Sequence, residues 1–80
     1  MYYLYILRCA NNSLYTGITN NLKARMEAHR AGTGSKYVRA HLPFQVVYTE
    51  EFANRSDAQK REAFVKKMSK ADKELLCKTS

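Results

Sequence analysis

Two phenols, a cation–imidazole pair and one carboxylate are the side chains of this sequence whose types and spacing could do chemistry. Tyr5 and Tyr15 lie in separate apolar segments, Arg25 and His29 follow in an Arg-x-x-x-His pattern, and Glu62 comes late. The Arg-x-x-x-His spacing is one helical turn, so both side chains fall on the same side of a helix. The planar fork of an arginine can clamp a phosphate in two places and stabilise negative charge developing on it. His29 can hydrogen-bond a phenol or a phosphate, or can simply satisfy a carbonyl at a helix end. A phenol with a pKa of about 10 is a poor base at neutral pH unless a cation or metal-bound water lowers that value. Taken alone, each tyrosine reads as a packing residue of a strand. Glu62, taken alone, reads as an i,i+4 partner of Lys66, worth about 0.2–0.5 kcal/mol.

The elements that must position these groups follow from the pattern of apolar residues. Residues 2–8 (YYLYILR) read as a buried strand, Ala10-Asn11-Asn12-Ser13 as a turn, and residues 14–18 (LYTGI) as a second strand, together an antiparallel hairpin. From Thr19 the period becomes helical. Thr19, Asn20 and Asn21 offer caps for a helix from about Asn21 to Ala31 that stops at Gly32. Leu22, Met26 and His29 form its apolar stripe, with Arg25 beside His29 and Lys23, Glu27 and Arg30 on the solvated side. Arg25 and His29 therefore border the core, where an idle charge is costly. Gly32-Thr33-Gly34-Ser35-Lys36 reads as a flexible basic loop and Leu42-Pro43 as a second break. Residues 45–52 (QVVYTEEF) read as a third strand. Ser56-Asp57-Ala58-Gln59 is a capping box for a helix to about Met68, with Ala58, Arg61, Val65 and Met68 as its core stripe and Phe64 and Glu62 on the flanks. Ser69-Lys70-Ala71-Asp72 repeats the capping pattern before a last short helix carrying Leu75 and Leu76. The order β-β-α-β-α-α predicts one small α+β domain over residues 1–80, a three-stranded antiparallel-type sheet flanked by helices.

Composition narrows the function classes. Eighty residues, 45% of them apolar, with six tyrosines and three phenylalanines, are enough for one modest core and argue against disorder. Cys9 and Cys77 sit near opposite ends without the spacing of a disulfide framework or a zinc site. The opening apolar stretch ends at Arg8, too short to span a bilayer and without the flanks of a signal peptide, so the expected location is the cytoplasm. Fourteen Lys and Arg against seven acids give a net charge of +7, dispersed along the chain. Such a charge favours polyanions, of which nucleic acid is the commonest in cytoplasm; it also serves solubility. Gly34-Ser35-Lys36 lacks the full spacing and setting of a phosphate-binding Walker loop, which excludes a nucleotide hydrolase.

Tyr3-Leu4-Tyr5, Tyr15-Thr16-Gly17, Arg25 with His29, and Glu62 occur in an order that resembles the GIY-YIG endonuclease superfamily, closest to its small bacterial stand-alone members. The resemblance runs from Tyr3 to about Leu76. It implies a metal-dependent nuclease that hydrolyses phosphodiester bonds in DNA, structured or damaged DNA included, with one Mg²⁺ or Mn²⁺. In its terms Tyr5 helps deprotonate the attacking water, Tyr15 positions water or phosphate, Arg25 stabilises charge, His29 supports the site and Glu62 binds the metal. One carboxylate suffices for an ion that keeps several waters and takes other ligands from the substrate. Lys36, Tyr37 and Arg39 are candidate nucleic-acid contacts, Tyr37 by stacking. This chain departs from the family pattern at Tyr3, where the first motif has glycine, and in having no asparagine after Asn54. The other reading is a nucleic-acid-binding module that keeps the fold without cleavage, and a third is a protein-interaction module whose charge serves only solubility. No obligate protein partner and no membrane are implied.

A shared site for the two tyrosines sets a condition on the hairpin. A two-residue turn at Asn11-Asn12 would send Tyr5 and Tyr15 to opposite faces; an odd-length loop or a bulge brings them together.

Overall fold

Leu4, Tyr5, Ile6 and Leu7 form an unbroken apolar run, and each is at most 1% exposed. A strand buried on both faces belongs in the middle of a sheet. The structure, a computed structural model, describes residues 1–78 and places this run there. Strand β1 (Tyr2–Cys9) pairs antiparallel with β2 (Leu14–Thr19) on one side and with β3 (Phe44–Phe52) on the other, in the order β2-β1-β3.

Helices cover both faces. Tyr5 and Leu7 pack with Met26 of α1 (Leu22–Ala31) and Val38 of α2 (Lys36–Ala40), with Tyr15, Leu22, Phe44 and Val46 around them. Leu4 and Ile6 pack on the other face with Val65 of α3 (Arg55–Lys66) and with Leu76 and Cys77 of α4 (Lys70–Cys77). A register shift opposite Ile6 and Leu7 lets β3 serve both layers: Val46 joins the first cluster, while Val47 and Tyr48 both join the second. Among the described residues no helix is long and apolar enough to cross a membrane.

The α+β architecture and the order of elements are those expected, with one short helix added. α2 starts at the last residue of the expected basic loop, Lys36, and continues through residues to which the sequence assigns no element. Ser35 caps it by accepting from the Val38 N–H, and five residues are too few to show a helical period. α3 starts earlier than the Ser56 box suggests, because the Asn54 side chain accepts from the Asp57 N–H at 2.9 Å, and it ends at Lys66. Ser69 caps α4 as expected, accepting from the Asp72 N–H.

Arg61 does not join the apolar stripe of α3. Its guanidinium donates two 3.0 Å bonds to Glu50 of β3, a carboxylate that also accepts from the Tyr48 hydroxyl. It lies 5.5 Å from the ring centroid of Phe64, which is 60% exposed. A second fork, Arg8 to Glu74 at 2.8 and 2.5 Å, ties α4 to the central strand. Both pairs are bidentate, the geometry in which an ion pair contributes most.

Candidate active site

The hairpin decides which side chains can meet. The Cys9 carbonyl accepts from the Asn12 N–H, and the Cys9 N–H donates to the Ser13 carbonyl, both at 2.9 Å. Asn12 takes φ 68, a left-handed conformation that asparagine tolerates better than most residues. The loop is therefore the three residues Ala10-Asn11-Asn12, a type I turn followed by a left-handed residue. Its odd length pairs Tyr5 with Gly17 and Leu7 with Tyr15, so both tyrosines point to the α1 face.

Gly17 then explains the Tyr-x-Gly spacing. A Cβ on Gly17 would stand 2.5 Å from the Tyr5 Oη and 2.7 Å from its Cζ. Only glycine lets the Tyr5 ring lie across β2, carrying its hydroxyl toward the β2 side of the sheet, where it stays buried. There the Oη meets His29 Nε2 at 2.9 Å and the Arg25 Nε at 3.5 Å, the outer limit of a hydrogen bond.

His29 is fully buried, so it serves the phenol rather than a phosphate. Tyr15 stands edge-on to its ring at 5.7 Å and Phe44 at 5.9 Å. Gly34 closes the remaining side, where a Cβ would come within 2.7 Å of Nδ1. Burial, with the Arg25 charge adding to it, holds the imidazole below its ordinary pKa, so it is neutral at pH 7. Arg25 can only donate to the phenol oxygen, while the direction of the Tyr5–His29 bond follows the imidazole tautomer. Nδ1 of His29 has no hydrogen-bond partner.

Burial also pushes the Tyr5 phenol above its ordinary value. The bond and charge of Arg25 oppose the rise, while Tyr15 and Glu62 add to it. Glu62 thus acts electrostatically on Tyr5 although it sits on α3, beyond the other face of the sheet. Its side chain is 22% exposed, and its Oε2 contacts the Lys66 ammonium at 3.2 Å. No three His, Cys, Asp or Glu side chains converge among the described residues. Glu62 is the carboxylate that would hold a divalent ion here, one that keeps most of its waters.

Open clefts flank this cluster along β2. One, of about 290 Å³, is lined by Tyr2, Ile18, Thr19, Asn20, Arg25 and Arg55. The other, of about 410 Å³, is lined by Leu14, Tyr15, Thr16, Tyr37, Lys66 and Lys73. Tyr37 stacks on Tyr15 (6.1 Å, 15°) and donates to the Ser13 hydroxyl at 2.6 Å, while the His41 ring packs against it at 4.5 Å. Lys36 and Arg39 are exposed on α2 and line neither cleft; the Arg39 stem lies along Gly32.

The arrangement unites Tyr5, Tyr15, Arg25 and His29, with Glu62 acting on Tyr5 from α3. The sequence model of the GIY-YIG catalytic domain matches residues 1–75. The chain belongs to the GIY-YIG family. It is similar to the UPF0213 protein CPE1444 of Clostridium perfringens, with 49% identity over 91% of this chain and 78% of the relative. The UPF0213 protein NP_0776A of Natronomonas pharaonis is 45% identical over 94% of this chain and 88% of its own. Among solved structures, the solution structure of UPF0213 protein BH0048 from Bacillus halodurans is 38% identical and superposes with a TM-score of 0.66, covering 100% of this chain and 86% of that one. Protein EF2693 of E. faecalis, 40% identical, gives 0.68 over 98% and 83%. In this GIY-YIG domain the sequence reading had missed Thr16, Gly34, Arg55 and Lys73. Thr16 is only the unspecified residue of Tyr-x-Gly, Gly34 gains its place against the His29 ring, and Arg55 and Lys73 gain theirs only when α3 and α4 meet the sheet edge.

Proposed function

We propose that this chain is a metal-dependent nuclease that hydrolyses phosphodiester bonds in DNA, structured or damaged DNA included, and works in the cytoplasm. The observation that carries this reading is the Tyr5 hydroxyl, brought across Gly17 toward the β2 side of the sheet and held between His29 Nε2 and Arg25. A phenol raised by burial is a weak base alone. Here its oxygen stands 2.9 Å from a neutral, buried imidazole, which in its Nδ1–H tautomer accepts the phenol's proton. Tyr5 can take a proton from water as its own passes to Nε2, which spares the site a bare phenolate. Arg25, half-buried beside the same oxygen, stabilises the charge that collects on the phosphate. Tyr15, fixed against His29 and Tyr37, positions water or phosphate. Glu62 would hold the divalent ion, whose chemistry would be Lewis-acid polarisation of the phosphate and stabilisation of the leaving oxygen.

The test is plasmid nicking with Mg²⁺, with and without chelator. Wild type nicks only with the metal, and Arg25→Ala and Glu62→Gln each abolish it. Cutting by both variants at the wild-type rate sinks the assignment. A second reading, a binding module without cleavage, is supported by the Lys66 contact that occupies Glu62 and by the raised Tyr5 pKa. It gives salt-dependent nucleic-acid binding and no metal-dependent product.

A further inference from the structure

The cleft beside Tyr15 has one cation that its neighbours leave unpaired. Thr16 is among the residues lining it, but the Thr16 hydroxyl is itself buried and offers the cleft no donor. Lys73, half-buried on α4, makes no ion pair among the described residues, whereas Lys66 pairs with Glu62 and Lys70 with Glu74. The opposite wall is the stacked pair of Tyr15 and Tyr37. Two ammonium groups and a rigid aromatic wall complement a phosphate with its attached sugar and base.

Lys66 fixes where this cleft lies relative to the chemistry, since it lines the cleft and its ammonium stands 3.2 Å from Glu62. We propose that this cleft is a phosphate subsite for the polynucleotide chain, in which Lys73 and Lys66 hold the phosphate next to the one being cut. The proposal rests on the nuclease reading and deepens it: the substrate strand runs along the β2 edge, and Lys73 sets its register against Tyr5. Lys73 is a positioning residue and touches no reacting atom.

The test is binding of a labelled oligonucleotide by fluorescence anisotropy in chelator, across a salt series. Lys73→Gln weakens binding several-fold and lowers the slope of log K against log salt by about 0.7–0.9, one phosphate contact. Lys60→Gln, an exposed lysine of α3 that lines neither cleft, changes neither quantity. Oligonucleotides with one neutral methylphosphonate at each position in turn then locate the contact. Wild type is weakened at a position to which Lys73→Gln is indifferent. An unchanged slope together with an unchanged methylphosphonate profile overturns the subsite while leaving the nuclease reading standing. Inorganic phosphate or a mononucleotide binding as tightly as the oligonucleotide overturns the polynucleotide as its occupant. Failure of wild type to bind any oligonucleotide overturns both readings. No cleavage is needed for the measurement, so a loss of catalysis alone does not disturb it.

Discussion

Replacing Gly17 by alanine tests the geometry on which the site depends, because the sign of the effect is diagnostic. In an ordinary strand position, Gly→Ala stabilises by about 0.5–1 kcal/mol by reducing the freedom of the unfolded chain. Here the new methyl would meet the Tyr5 Oη at 2.5 Å and Cζ at 2.7 Å. The ring cannot swing away, since Tyr5 is 1% exposed and bonded to His29. Overpacking of this kind costs about 1–3 kcal/mol. Set against the entropic gain, the net expectation is a destabilisation on the order of 1–2 kcal/mol, or roughly 10 °C in Tm for a domain of this size. Urea unfolding read by circular dichroism measures it, beside the same substitution in Tyr5→Phe and Tyr5→Leu backgrounds. Phenylalanine removes the 2.5 Å contact and keeps the one at 2.7 Å, so it relieves part of the penalty. Leucine relieves all of it, and Gly17→Ala then stabilises. An alanine variant as stable as wild type, with the same effect in all three backgrounds, would refute the argument that the ring needs the missing Cβ.

The buried imidazole gives a pH signature. Its folded pKa lies below the ordinary 6.5, so below that pH the unfolded chain takes up a proton that the folded chain resists. The stability linked to His29 is complete above about pH 6.5 and is lost as pH falls toward the folded value. Urea midpoints at pH 7.5 and pH 5 should therefore differ less for His29→Gln than for wild type; equal differences would count against a depressed pKa. Thr16→Val removes a buried hydroxyl that bonds to nothing, and should raise stability by about 1 kcal/mol while leaving oligonucleotide binding unchanged. A loss of stability would mean that the hydroxyl has a partner in the folded chain.

Much of the fold was legible because its signals are local. Asn21, Gly32 and Ser69 bound helices where their capping chemistry places them. The run from Leu4 to Leu7 reads as buried because both of its faces are. α2 was invisible for want of length, and the start of α3 was misplaced because Asn54 and Ser56 are both competent caps; sequence does not rank them. Arg61 fell at an apolar position of the helical wheel, and only the approach of Glu50 from β3 turned that position ionic. For the site, Arg25 and His29 were readable from their spacing on one helix. What Tyr5 does was not, since its neighbours come from β2, α1 and the turn after it. The Glu62–Lys66 pair was foreseeable, and the pair and the action on Tyr5 turn out to coexist.

The three-residue hairpin loop has a consequence for how such chains can vary. Ala10-Asn11-Asn12 looks like a permissive surface turn, where insertions are normally harmless. Here a single inserted or deleted residue, if the strands re-paired in the shifted phase, would exchange the two faces of β2. Tyr15 and Gly17 would trade places with Thr16 and Ile18, the Tyr5 ring would lose its passage, and both hydrophobic layers would be scrambled together. Length changes at this tip are tolerable only in steps of two, or with a compensating bulge further along the strand. In any alignment of related chains, an odd gap at this turn is a warning that the two tyrosines no longer share a side.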